Sequence, residues 1–340
     1  MSEGVSIVVC CHNSAHLLPE TLACLSAQRL SSAPLDCEVI VVDNASTDRT
    51  AEAARRNWPD DCPILLGIVQ EPKLGLTSAR LRGIAEAKYE FICFVDDDNR
   101  VSPDWTETVF KLLSEHPEVG ACGGQISPQS EIALPPWFDD FKSYYAVGKQ
   151  AEQAGDITES RGYLWGAGLC LRRKAWAELA EKKFSFLLSD RTGDSLSSGG
   201  DAELCYALRL NGWRLWYEPR LTMEHYLSAA RLEWTYLRRL SRAFGAATAG
   251  TDSYEMALGN NTAGLVNGLR RSWAWQTLAT ASYLARKPIK LWRVLMGPMD
   301  GDADALRIEN LWGRLRELLL HRGTYVASIN RIRASMSDKT

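Results

Sequence analysis

Phe91-Ile92-Cys93-Phe94-Val95-Asp96-Asp97-Asp98-Asn99 is the stretch whose reading decides the fold. Five apolar residues run directly into three carboxylates. A continuous apolar run this short predicts a strand buried on both faces. The acids then fall at its carboxyl end, where open α/β sheets place their ligands. Three adjacent acids repel one another unless a cation neutralises them. Carboxylate oxygens suit Mg²⁺ or Mn²⁺, so the triplet is a candidate metal site. A solvated acidic turn is the plainer alternative, and the buried strand feeding the acids argues against it.

The same pattern repeats on either side. Val5 to Cys11 predicts a first strand, followed by His12-Asn13-Ser14 and a helix with Leu18, Leu22 and Leu25 on one face. Glu38 to Val42 predicts a second strand ending at Asp43-Asn44, with Ser46 or Thr47 capping a helix from Arg49 to Asn57. Ile64 to Val69 predicts a third strand. Gly75 then leads into a helix over Ala79–Ala87 that carries Arg80. Strands alternating with helices imply a mostly parallel, doubly wound, Rossmann-like sheet with helices on both faces.

Further on, Ser102 and Pro103 are expected to start a helix running to His116. A strand is expected over Val119–Ile126, irregular chain over residues 127–160, a strand over Gly162–Arg172 and a helix over Lys174–Lys182. Residues 187–200 form a Ser/Gly-rich polar loop, suited to closing over a ligand. Asp201 opens a helix, Gly212 ends it, and Trp213 to Glu218 predicts a last strand. Beyond Leu232, arginine, tryptophan and leucine dominate, with helices expected at roughly 232–248, 272–296 and 305–322.

Composition narrows the function. The chain has 340 residues, 46% hydrophobic and 24% charged, with a net charge of -3. That is globular, and it carries no nucleic-acid footprint. Nine cysteines include no C-x-x-C pair, which points to a reducing compartment rather than to disulfides or zinc. The first strand starts by about residue 5, leaving no room for a signal peptide, and no apolar run approaches a membrane span. The expected location is cytoplasmic, including the cytoplasmic face of a membrane.

Asn13, Asp43 and the acids all follow strands, while Gly75 and Arg80 sit just past the third. In a doubly wound sheet they share one crevice. A metal, an arginine for phosphate and an acid able to accept from a base N–H would together bind a nucleotide diphosphate. Neither G-x-G-x-x-G nor G-x-x-x-x-G-K-[ST] occurs, so the dinucleotide-binding and P-loop signatures are absent.

In Ser6 to Asn13, Glu38 to Asp48, Gly75 to Gly83, Phe94 to Asp98 and Gly200 to Leu204, the chain resembles the family-2 glycosyltransferases of the GT-A fold. The resemblance covers residues 4–228. It implies a GT-A catalytic domain over 1–228, with a nucleotide-sugar half (1–126) and an acceptor half (127–228), and a helical C-terminal region over 229–340. It also implies an inverting, metal-dependent transfer from a nucleotide-diphosphate sugar to a glycan or lipid-linked acceptor. By position, Asp43 would read the nucleobase, with Asn44 beside it. Asn13, Gly75, Arg80 and Asp96 would contact the nucleotide-sugar, and Asp97, in the variable middle position, would line it while pointing aside. Asp98, Asp96 and His225 would hold Mn²⁺ or Mg²⁺. Asp201 would be the catalytic base, although Gly200 stands where the family carries a first acid. Glu203 reads as a surface acid, and Trp165 and Trp137 would face the acceptor. A sugar nucleotidyltransferase and a non-catalytic nucleotide-sugar-binding subunit are the alternatives. The C-terminal aromatic and basic residues suit either a membrane surface or a bundle packed on the catalytic domain or on a second copy in a homodimer.

Overall fold

The computed structural model describes residues 3–31, 35–188, 191, 196, 198–259, 272–286, 288–297 and 300–323, together with 325, 327, 329 and 332. Four strands open the chain: β1 (Gly4–Cys11), β2 (Asp36–Asn44), β3 (Leu65–Glu71) and β4 (Phe91–Asp96). Between them lie α1 (Leu18–Ser26), α2 (Thr50–Asn57) and α3 (Leu76–Glu86). β1 pairs in parallel with β2 and β4, and β2 in parallel with β3. Alternate residues of β1, β2 and β4 enter cores on opposite faces, while β3 at the sheet edge is only partly buried. Phe91, Cys93 and Val95 join one, Ile92 and Phe94 the other. That two-sided burial is why the strands read as unbroken apolar runs.

Beyond β4 the sheet becomes mixed. β5 (Asn99–Val101), α4 (Trp105–Glu115), β6 (Val119–Ser130), a short α5 (Phe138–Phe141), β7 (Gly155–Asp156), β8 (Cys170–Arg172), α6 (Arg173–Glu181), α7 (Gly200–Leu210) and β9 (Arg214–Leu227) follow. The nine strands form one sheet in the order β3-β2-β1-β4-β8-β6-β9-β5, with β7 on β9. β8 runs antiparallel to β4 and β6. Buried Arg172 on β8 fastens this junction, donating to the carbonyls of Val119, Leu113 and His116 and pairing with Glu90 at 3.0 Å.

Several local expectations are corrected. Only Cys170–Arg172 of the 162–172 stretch is strand, because Gly166 and Gly168 sit in a turn beneath the cleft. β6 runs on to Ser130 against β9, shortening the irregular stretch. α2 is entered without a Ser46 or Thr47 cap; Asp48 instead accepts from the backbone N–H of Thr50. Asp104, not Ser102, precedes α4. Of the polar loop, residues 189, 190, 192–195 and 197 lie outside the described residues.

A 3-10 turn, Ala229–Leu232, leads from β9 into α8 (Trp234–Leu258), which runs ten residues past the end that the sequence pattern predicts. The expected 272–296 helix is two, α9 (Trp273–Ala285) and α10 (Pro288–Met296), since proline cannot continue a helix ladder. α11 (Ala303–Leu320) lies along α8. At their crossing a Cβ on Gly245 would overlap the Asn310 carbonyl, and one on Gly313 the Arg242 carbonyl. Glu309 of α11 binds Arg238 at 2.7 Å and Arg242 of α8. Leu232, Trp234, Leu237, Leu284 and Leu306 are buried in the same core as β1 and β4, so these helices pack on the sheet-containing part of the chain.

Candidate active site

A cleft of about 900 Å³ opens at the carboxyl ends of β1 and β4. Asn13, Asn44, Gly75, Arg80, Asp96, Asp97, Asp98, Trp165, Asp201 and His225 all line it. Asp43 and Trp137 are not among the described lining residues.

The nucleotide side is built by side chains that brace loops. Asn13 adopts φ 56°, a conformation asparagine tolerates better than most residues. Its Oδ1 accepts from the N–H groups of Thr47 and Asp48, and its own N–H donates to Ser46 Oγ at 3.0 Å. The loop after β2 is thus held to the loop after β1. Buried Asn44 does the same on the other side. Its Nδ2 donates to the carbonyls of Glu71 and Lys73, and its Oδ1 accepts from Gly75 N–H at 2.7 Å. Gly75 starts α3 with φ 138°, a conformation that favours glycine. Asp43 is buried at the end of β2 and accepts from Gln70 Nε2 at 2.8 Å and from Ser46 N–H.

Strand register assembles the acidic centre. Asn99 of β5 lies opposite His225 of β9, and Tyr226 N–H donates to the Asp98 carbonyl at 2.9 Å. The backbone thus fixes Asp98 against β9, with its Oδ2 3.5 Å from His225 Nε2. His225 Nδ1 donates to the Tyr145 carbonyl at 2.8 Å, which turns Nε2 towards Asp98. Arg231, from the 3-10 turn, places Nη1 2.8 Å from Asp98 Oδ2 and 3.1 Å from His225 Nε2. Burial opposes ionisation of Asp98, but His225 and Arg231 beside it outweigh burial and hold its carboxyl well below the usual range. Asp97 behaves in the opposite way. Burial, with the Asp98 charge next to it, pushes its carboxyl up to about 7, against the Ser14 hydroxyl that donates to it. Asp97 is therefore turned into the α1 side of the cleft floor, where Thr21 Oγ1 also donates to its carbonyl.

Asp98 and His225 converge as a metal would require. The Nδ1 bond to a carbonyl is the outer contact that orients a ligating imidazole. Among the described residues no group of three or more His, Cys, Asp or Glu side chains could hold an ion. A hard cation held by few protein ligands fits a site completed by substrate phosphates and water. The donor set thus fits Mg²⁺ or Mn²⁺ in the presence of a diphosphate.

Across the cleft, Asp201 sits in the first turn of α7. Its Oδ2 accepts from Gly166 N–H at 2.8 Å and its Oδ1 from Ala202 N–H at 2.8 Å. Arg80 packs its guanidinium on Phe94, 5.4 Å from the ring centre. A Cβ on Gly166 would lie 2.5 Å from Arg80 Nη2. Gly166 therefore lies against both the arginine and the acid, and its missing side chain leaves room for the guanidinium.

Two expectations are corrected here. Glu203 is fully buried rather than on the surface: it accepts from Leu187 and Leu188 N–H at 2.7 and 2.9 Å and from Tyr254 Oη at 2.8 Å. It ties the start of the polar loop to α7 and α8. Trp137 is a core residue, its ring 5.3 Å from that of Trp234, and takes the packing role instead of facing an acceptor. Trp165 does line the cleft, with Arg161 over its ring at 4.7 Å.

The sequence reading missed the wall made by α8. Tyr236, Leu240, Phe244, Ala247, Thr248, Thr251 and Glu255 line the cleft at helical spacing. It also missed Arg231, which nothing in the sequence distinguishes from its neighbouring arginines.

The chain matches the family described as Glycosyl transferase family 2 over residues 6–179. It is 25% identical over 236 residues to a glucosyl-dolichyl phosphate glucuronosyltransferase of Haloferax volcanii, covering 68% of this chain and 72% of that protein. It is 26% identical over 243 residues to the succinoglycan biosynthesis protein ExoA of Rhizobium meliloti, covering 69% and 67%. Its fold is similar to that of S. aureus TarS 1-349, solved in complex with UDP-GlcNAc, with a TM-score of 0.52 and 15% identity over 94% of this chain and 91% of that one. Matching residues 6–179, half of its length, the chain belongs to glycosyl transferase family 2.

Proposed function

We propose that this glycosyltransferase is inverting and divalent-metal-dependent, and that it moves a sugar from a UDP-sugar to a hydroxyl of a glycan or lipid-linked acceptor. The observation that carries the reading is one cleft lined by Asp96, Asp98 and His225, by Arg80, and by Asp201. The choice of uridine draws on TarS, whose structure holds UDP-GlcNAc. The choice of acceptor draws on relatives named for a dolichyl phosphate-linked sugar and for succinoglycan biosynthesis.

In this reading Asp98 and His225, with Asp96, hold Mg²⁺ or Mn²⁺. The ion supplies Lewis-acid neutralisation of the diphosphate. Arg80 adds a fixed positive charge beside the leaving phosphate. Asp201 accepts the proton of the acceptor hydroxyl as that oxygen bonds to the anomeric carbon. The bond from that carbon to the phosphate oxygen breaks, and the nucleoside diphosphate leaves with the electron pair. One displacement inverts the anomeric centre. Gly166 N–H and Ala202 N–H each donate to one Asp201 oxygen, which fixes the orientation of the carboxylate.

Among the described residues no helix is long and apolar enough to cross a membrane. Trp275, Leu278, Trp292, Trp312, Leu319 and Leu320 are nonetheless exposed on the C-terminal helices. Exposed Arg286, Arg316 and Arg322 share those helices and the segment after them. In this reading that face meets an anionic lipid surface, bringing the cleft to a lipid-linked acceptor.

The test is Asp201→Asn with a donor screen. UDP-, GDP- and dTDP-sugars are compared for Mn²⁺-dependent thermal stabilisation, which reaches about 2.7 kcal/mol at a hundredfold excess over Kd. The variant should keep the stabilisation and lose transfer. Retained turnover would remove Asp201 from the role of base, and no stabilisation by any donor would remove the nucleotide-sugar reading.

A further inference from the structure

Asp98 and His225 offer one oxygen and one nitrogen, 3.5 Å apart, to the same point of the cleft. Arg231 Nη1 is already at that point, 2.8 Å from the oxygen and 3.1 Å from the nitrogen. The arrangement is braced from both sides by Tyr145. Its carbonyl accepts from His225 Nδ1, and its hydroxyl donates to the Arg231 carbonyl at 2.9 Å. A guanidinium hydrogen-bonded to these two atoms and a metal ion ligated by them exclude each other.

We propose that Arg231 is a resident counter-cation that competes with the divalent metal for Asp98 and His225, and that the donor's diphosphate relieves the competition. The inference rests on the metal-dependent reading above. Asp98 is a buried carboxylate, and a buried charge with no partner is strongly destabilising. Arg231 meets that need when no ion is bound. An entering ion must displace the guanidinium, which then needs another anion. Arg231 lines the same cleft as Asp96 and Arg80, and its side chain is 24% exposed. It can therefore turn from the carboxylate to a phosphate without unfolding its turn. The ion also needs the diphosphate, because the protein offers too few ligands of its own among the described residues. Both effects make metal and nucleotide bind cooperatively, each raising the affinity of the other by the same factor.

Binding of Mn²⁺ to the full chain, followed by the electron paramagnetic resonance of the free ion, tests this. It is measured alone and with UDP, GDP or dTDP. Arg231→Gln should bind Mn²⁺ alone about tenfold more tightly than the unaltered chain, since a like charge has gone. The nucleoside diphosphate that strengthens Mn²⁺ binding to the unaltered chain should strengthen it much less in this variant. Arg231→Lys, which keeps a cation, should stay weak. Asp98→Asn added to Arg231→Gln should abolish the gain. Thermal melting gives an independent readout: Arg231→Gln should melt lower in chelator and recover with Mn²⁺. Equal or weaker Mn²⁺ affinity in Arg231→Gln overturns the competition while leaving the metal site standing. No Mn²⁺ binding by any variant, with any of the three nucleotides, overturns the metal-dependent reading and this inference together.

Discussion

Gly166 is where a single missing side chain decides the geometry of the site. Its N–H holds Asp201, and its open Cα face receives the Arg80 guanidinium. Its φ is not in the left-handed region, so alanine fits the backbone, and the added methyl meets only the tip of a flexible arginine. Gly166→Ala should therefore move Arg80 while leaving Asp201 anchored. Donor binding, read by titration calorimetry, should weaken about tenfold, the scale of one lost charge-assisted phosphate contact. The melting temperature should stay nearly unchanged. A large drop in stability with donor affinity intact would show that Gly166 serves packing alone. At this scale the sequence was informative where chemistry is tied to the end of β4: Asp96 and Asp98 reach the cleft, and Asp201 meets them from the start of α7, whereas Asp43 at the end of β2 is not among the described lining residues. It failed for Glu203 because a charge two residues along a helix from Asp201 gives no sign of what packs over that face. It failed for Arg231 because its importance comes from the pairing of β5 with β9, which no local pattern encodes.

Among the elements, α8 carries the most unexpected role. Its cleft-lining residues from Tyr236 to Glu255 extend roughly 28 Å at 1.5 Å per residue. An adjoining side of the helix is fixed by α11, through the Gly245 and Gly313 contacts and the Glu309 ion pairs. Gly245→Ala should push the two helices apart, because the clash is with the Asn310 backbone and cannot be relieved by a rotamer change. A loss of about 1–3 kcal/mol in urea unfolding is expected, typical of overpacking. Transfer should fall as well, since the same helix walls the cleft. Stability and activity both unchanged would mean that α8 and α11 are not held at the glycine crossing. The strands of the first half were legible because two-sided burial writes itself as an apolar run. α8 was legible as a helix but not as a wall, because aromatic residues at helical spacing read equally well as core, cleft or lipid-facing. The strand expected over 162–172 failed because turn glycines interrupt an otherwise strand-like composition.

For the molecule as a whole, the arrangement of the C-terminal helices has two consequences. Their inner side joins the core of the sheet and walls the cleft, so the helical region takes part in building the site. Their outer side leaves an apolar face. On α11, Trp312, Arg316, Leu319 and Leu320 recur at i, i+4, i+7 and i+8, while Trp275 and Leu278 on α9 are one turn apart, and all are exposed. Aromatic and basic residues mixed in this way suit a lipid interface, where the rings enter the headgroup boundary and arginines meet anionic lipids. The full chain should therefore float with vesicles containing anionic lipid, and less so in high salt, which screens the arginines. Replacing Trp275, Trp292 and Trp312 together with glutamine removes rings that are 46%, 62% and 50% exposed, so the melting temperature should fall only modestly. Vesicle partitioning should fall about tenfold or more as that apolar area is lost. Transfer to a water-soluble acceptor should persist, because none of the three lines the cleft, while transfer to an acceptor embedded in vesicles should drop. If the unaltered chain does not bind vesicles but sediments as a dimer that the triple variant dissociates, the face belongs to a second copy of the chain and the lipid-surface reading is lost.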